Sequence, residues 1–278
     1  MAMLFSFFTA DTNRVADVLF RFFSVPRTSF TIDPGKGSRN RTRKNEPERS
    51  TENKETKSRS LCAGTALLAA FACWTVLIRC ADVRPAGPNG STVGLAAFNV
   101  WFHHTAGVHM PLYTVTDWLG LVPIAVCLGF AVLGFRQMTG RRSLPKVDRD
   151  LLLLGGYYIL VIFAYLFFEM VPINYRPVLI GGSLEASYPS STTLLVLSVM
   201  PTLKYQIDRR CGAPVIRRIV TVSAVLFSSF MVVGRLLSGV HWVTDIIGSV
   251  FLSQGLFMIY RHAVEWTDRA EKTPAERS

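Results

Sequence analysis

The chain has 278 residues, 50% of them apolar, and 30 Lys and Arg against 19 Asp and Glu give it a net charge of +11. Its mean hydropathy is positive, and long uncharged runs of this kind exclude an ordinary soluble domain. Nucleic acid is not the implied partner: most basic residues flank apolar runs or sit in the N-terminal tail, where membrane topology explains them.

Residues 1–60 read as a basic cytoplasmic tail. Its first ten residues are apolar but too short for a signal peptide, and Asp11 ends them. An amphipathic surface helix follows, with Val15, Val18, Leu19 and Phe22 on one side. Residues 31–60 are polar and charged, and their composition predicts disorder and contact with anionic lipid headgroups.

Crossing a bilayer takes about 20 mostly apolar residues. Runs at 61–79, 118–135, 151–171 and 242–260 meet that length or nearly do. Two weaker runs, 191–203 with Pro201 and 219–234 with Arg217 and Arg218 at its start, bring the expected number to six. With six spans, all but four of the basic residues fall on one side, which is then cytoplasmic and holds both termini. The expected fold is all-α: a six-helix transmembrane bundle over 61–262 and a short cytoplasmic tail at 263–278. The four exceptions are Arg79, Arg84, Arg176 and Arg235. The last two stand where arginine is scarce, so they are candidate functional residues.

Three stretches share that non-cytoplasmic side. The first runs from Glu169 to Arg176 and Pro177; the second is Tyr188-Pro189-Ser190-Ser191-Thr192; the third runs from Gly234 and Arg235 to His241 and Asp245. Two guanidiniums can fork onto phosphate oxygens. Ser190, Ser191 and Thr192 read as a helix start, whose free N–H groups suit an anion. His241 and Asp245 share a helical face, and a carboxylate on one imidazole nitrogen leaves the other nucleophilic. No metal-ligand cluster is visible and the five cysteines form no close C-x-x-C pair, so the sequence calls for neither metal nor cofactor. Phosphoryl transfer through a phosphohistidine fits these residues better than a metal-bound hydroxide.

These stretches resemble the signature of the type 2 phosphatidic acid phosphatase superfamily, which includes lipid phosphate phosphatases and vanadium haloperoxidases: K-x6-R-P, then P-S-G-H, then S-R-x5-H-x3-D. The third motif is matched at Arg235, His241 and Asp245, with Gly234 in place of Ser. The first is matched at Arg176 and Pro177, with Glu169 where the family has Lys. The second is matched at Pro189 and Ser190, with Ser191 and Thr192 in place of Gly and His. The resemblance implies that His241 is the nucleophile and Asp245 its orienter, and that Arg176, Arg235, Ser190 and nearby N–H groups hold the phosphate. In the family the second-motif His protonates the leaving group. Thr192 cannot, which leaves a lipid diphosphate, with its better leaving group, or Glu169 as a replacement acid. One of His103, His104 and His109 in the loop after the first span could also supply that proton.

The implied protein is a membrane phosphatase acting on a lipid phosphate or diphosphate. The alternatives are a non-catalytic lipid-phosphate binding or transport protein of the same fold, and an unrelated small transporter, which internal inverted repeats would favour and the sequence lacks. Trp101, Trp118 and Trp242 read as interfacial anchors, and Asp117 as a cap at the start of the second span.

Overall fold

A computed structural model describes residues 46–275, with side chains from 60 to 269. The expected amphipathic segment lies outside the described residues. Eight α-helices make up the described chain: α1 (Glu46–Cys80), α2 (Ala96–Ala106), α3 (Met110–Leu119), α4 (Leu121–Arg141), α5 (Arg149–Met170), α6 (Ser191–Arg210), α7 (Pro214–Leu237) and α8 (Val243–Ala275). No named strand occurs among the described residues; three isolated antiparallel bridges do. The protein is an all-α, polytopic membrane protein.

Among the described residues, five segments are long and apolar enough to cross a membrane: Ser60–Cys80, Met110–Arg141, Arg149–Met170, Pro214–Leu237 and Val243–Arg269. α6 falls short on hydropathy although it runs for 20 residues. Its position explains the deficit. α6 packs against α7, α8, α5 and α4, and its Ser198, Thr202 and Gln206 are fully buried. A helix surrounded by protein can carry polar groups where most of them find partners. Thr202 bonds the Tyr158 hydroxyl at 2.8 Å, and Gln206 donates to the Tyr260 hydroxyl at 2.7 Å. Pro201 sits inside the helix without ending it.

Two expectations are corrected at the first two spans. α1 starts at Glu46, so the stretch expected to be structureless up to Ser60 is helical in its last part; after Pro47 that part contains no Gly or Pro. Asp117 does not cap the second span. It lies in the last turn of α3, and the chain passes through Gly120 into α4, so the span begins with a short helix and a break.

α1 lies along α8. Small residues permit it: a methyl at Gly255 would strike Leu68 Cδ2 at 2.8 Å. The apolar core forms where α4, α5, α6 and α8 meet, around Phe130, Leu154, Tyr157, Leu194, Leu252 and Tyr260. At one end of the bundle, the last turn of α6 is clamped by ion pairs. Arg210 reaches Asp148 and Asp150 at 3.1 and 2.8 Å, and Arg209 reaches Asp268 at 2.7 Å. Burial alone would raise the Asp148 carboxyl, but hydrogen bonds from Gln137, Arg141 and Arg210 outweigh it and hold the pKa at about 2. The opposite end carries the three motifs.

Candidate active site

The connection between α5 and α6 folds back on itself. Ile180 and Ser183 exchange backbone hydrogen bonds across Gly181 and Gly182, whose φ values are 59° and 84°. Two left-handed residues at a hairpin tip are the arrangement that Gly-Gly supplies without steric cost. The same ladder continues inward: the Arg176 N–H donates to the Glu185 carbonyl, and the Ser187 N–H to the Asn174 carbonyl. The first and second motifs are thereby set side by side.

His241 sits in the turn between α7 and α8, 3% exposed. Its Nδ1–H donates to the Ser187 carbonyl at 3.1 Å, with the Asp245 carboxylate further off at 3.7 Å. That assigns the tautomer and leaves a lone pair on Nε2, the arrangement a nucleophilic imidazole needs. Asp245 accepts the Trp242 N–H at 2.9 Å and faces the Asn174 amide at 3.5 Å. The orienting role expected of Asp245 is therefore shared with a backbone carbonyl. Burial holds the imidazole pKa well below its usual 6.5, and the charges of Arg176 and Arg235 push it the same way. His241 is neutral at physiological pH.

Arg176 is buried, and its Nη1 stands 3.3 Å from His241 Nε2. Its Nε faces the Glu185 carboxylate at 3.0 Å. Arg235, 1% exposed, ends α7. Its guanidinium lies 4.8 Å over the Tyr113 ring, with Nη1 at 3.4 Å from the Thr116 hydroxyl and 3.5 Å from Asp117. Its Nε has no partner within the described protein, so a buried donor remains for a ligand. The third motif has Gly234 where the family has Ser, and the packing gives the reason. α7 crosses α3 so closely there that a side chain would meet Thr116 Cγ2 at 2.7 Å.

The second motif divides. Ser190 is fully buried; its hydroxyl donates to Thr193 and its carbonyl accepts from Ser249 at 3.0 Å. Ser191 and Thr192 line a cleft of about 300 Å³, together with Gly120, Leu121 and Ile124 of α3–α4 and Val161, Ile162 and Tyr165 of α5. The lining is largely apolar. Tyr165 and Ser191 are shared with a small recess that contains His241 and Glu169, so the cleft leads to the imidazole. Glu169 is exposed at the end of α5, and the acidic partner of Arg176 is Glu185.

Two other expectations change. His103 does not face the recess: its Nε2 is 3.1 Å from the Gly239 carbonyl and its ring lies 5.5 Å from Trp242. His109 is tied to the Ala106 carbonyl at 2.9 Å. Trp242 is buried and donates to the Tyr175 carbonyl at 2.8 Å, so it is a wall of the site and not an interfacial anchor. Asn174, Ser187, Glu185 and Tyr113 escaped the sequence reading; the Gly181-Gly182 pair was the one local signal that would have exposed the hairpin carrying three of them.

Residues 152–269 match the family model of the PAP2 superfamily. That region is PAP2-like. It holds all three motifs and leaves out α1 to α4, so Asp117 and Tyr113 come from outside the PAP2-like region. The structure is also similar to the crystal structure of a transmembrane PAP2-type phosphatidylglycerolphosphate phosphatase from Bacillus subtilis, at 17% identity and a TM-score of 0.48, covering 71% of this chain and 94% of that one. A comparison with curated proteins found no match.

Proposed function

We propose that the protein is a lipid phosphatase that opens a lipid phosphate or diphosphate ester through a phosphohistidine on His241. The observation that carries this reading is the pairing of a neutral, tautomer-fixed imidazole with Arg176, the imidazole lying in a recess that shares Tyr165 and Ser191 with an apolar cleft. The acyl or prenyl chain lies in the cleft between α4, α5 and α6, and the phosphoryl group sits between Arg176 and Arg235. Arg176 turns its Nη1 from the imidazole onto a phosphate oxygen, which uncovers Nε2. Nε2 then attacks phosphorus as the bond to the lipid oxygen breaks. The two guanidiniums neutralise charge on the equatorial oxygens, the usual dominant contribution in phosphoryl transfer. Water next attacks the phosphohistidine and restores the imidazole.

In this reading α6 is a sixth span. The basic end, with Arg141, Arg209 and Arg210, then faces the cytoplasm with both termini, and the site opens on the extracytoplasmic or lumenal side. Anionic lipids associate with the basic tail at 1–60.

One observation favours a second reading, a lipid-phosphate binding protein without turnover: Thr192 stands where the resemblance calls for an acid His. Phosphate release decides between them. Purified protein in detergent is given phosphatidate and a prenyl diphosphate, with vanadate as inhibitor. Release from at least one lipid, blocked by vanadate and lost in His241→Asn, supports the phosphatase. Binding of these lipids without release supports the second reading.

A further inference from the structure

We propose that Asp117 is the acid that protonates the leaving oxygen, replacing the histidine absent at position 192. The inference rests on the phosphatase reading and concerns the same site. With the lipid chain in the cleft, the bridging oxygen points out of the phosphoryl group toward the cleft, on the side away from Nε2. The group that protonates it must line the cleft. Glu169 lines the recess on the imidazole side. Among the described residues lining the cleft, Asp117 and Tyr165 carry a titratable proton. Of the two, Asp117 is the one paired with Arg235, 3.5 Å from its Nη1, within reach of whatever that guanidinium holds.

Local structure points the same way. Asp117 lies in the last turn of α3, just before Gly120. This turn faces the first residues of α6, since a side chain at Gly120 would meet Thr192 Cγ2 at 3.7 Å. The carboxyl thus arrives from α3 beside the position where the resemblance places the acid. Asp117 is more than half exposed, so the proton can exchange with water.

The proton balance is simple. A phosphate monoester binds as its monoanion, and its one proton lies in the hydrogen bond between the phosphate and the Asp117 carboxyl. As the Nε2–P bond forms and the P–O bond breaks, the carboxyl proton passes to the leaving oxygen and the alcohol departs along the cleft. Asp117, now a carboxylate, takes a proton from the water that attacks the phosphohistidine. The N–P bond breaks, inorganic phosphate leaves, and the carboxyl is restored.

The test is the dependence on leaving group. Phosphatidate expels a poor alkoxide, whereas nitrophenyl phosphate expels a stable phenolate that needs little acid help. General acid catalysis contributes about 10²- to 10⁴-fold. Asp117→Asn should lower kcat on phosphatidate by about 100-fold or more, and on nitrophenyl phosphate by less than about tenfold. Tyr165→Phe should show no such selectivity. Equal losses on both substrates, or none on either, would make Asp117 at most a support for Arg235 and overturn the assignment. A selective loss in Tyr165→Phe instead would move the role to the phenol. Wild-type activity on the prenyl diphosphate alone would leave the phosphatase reading standing and overturn this one; if no phosphate is released from any of the three substrates, or His241→Asn is as active as wild type, the phosphatase reading itself fails and this one with it.

Discussion

Arg176 Nη1 lies 3.3 Å from His241 Nε2, so the cation proposed to grip the phosphate also covers the lone pair of the proposed nucleophile. A neutral imidazole can accept that hydrogen bond; an imidazolium would meet the guanidinium as a like charge. This contact therefore favours the protonation state that attack requires.

A stability consequence follows for His241. Above its ordinary pKa of 6.5 the ring is neutral in both folded and unfolded chains and contributes nothing to pH dependence. Below 6.5 the unfolded chain takes up a proton that the buried ring does not, so stability falls as pH falls. Thermal unfolding in detergent should show a midpoint that drops from pH 7 to pH 5, and His241→Asn should make the drop shallower. An unchanged slope would mean the imidazole is not held neutral.

Glu185 competes with phosphate for Arg176 from a partly exposed position, 3.0 Å from Nε. Glu185→Gln removes that competition. Vanadate inhibition should tighten by about threefold, with little change in unfolding midpoint because a partly exposed pair contributes about 1 kcal/mol or less. Weaker inhibition would show that Glu185 holds Arg176 in its productive position.

Gly234→Ser would restore the residue of the resembled motif, yet it should destabilise the protein by about 1–3 kcal/mol through the clash with Thr116 Cγ2. Thr116→Ser deletes that methyl and keeps the hydroxyl facing Arg235. The double variant should recover most of the loss. Unfolding midpoints of the two single variants and the pair measure the coupling.

At the other end of the bundle, Arg210 neutralises Asp148 and Asp150 together. Arg210→Met leaves both carboxylates partly buried beside one another, and should cost about 2 kcal/mol or more. The Asp148 contribution is present above a pH of about 3.8 and is lost as pH falls through about 2. Added Asp148→Asn and Asp150→Asn should restore part of the midpoint, which acid unfolding of the same variants can confirm.

How far the sequence exposed this site depends on what each residue is recognised by. His241 and Asp245 stand four apart, and Arg176 and Arg235 break a charge asymmetry, so pattern alone finds them. Ser187 acts through its carbonyl, which every residue possesses, and Asn174 through the register of a hairpin; neither leaves a side-chain signature. Asp117 read as a cap because the apolar run seemed to start at Trp118, whereas the chain is already helical from Met110 and breaks at Gly120. α6 reads as one of the two weaker runs because its Ser198, Thr202 and Gln206 face other helices. Burial among helices is invisible to a hydropathy count. The all-α membrane bundle itself was legible throughout, since it rests on long apolar runs that local packing cannot disguise.

The hairpin between α5 and α6 carries Asn174, Arg176, Glu185 and Ser187 on its arms, while Gly181 and Gly182 at its tip are exposed and remote from that ladder. Arms and tip are thus mechanically separate. A short epitope or a single reactive thiol placed at the bend is free to vary in length and chemistry while the anchored pairs keep their register. The same loop that sets Arg176 beside His241 therefore offers a handle for labelling, immobilisation or sidedness mapping of the folded protein.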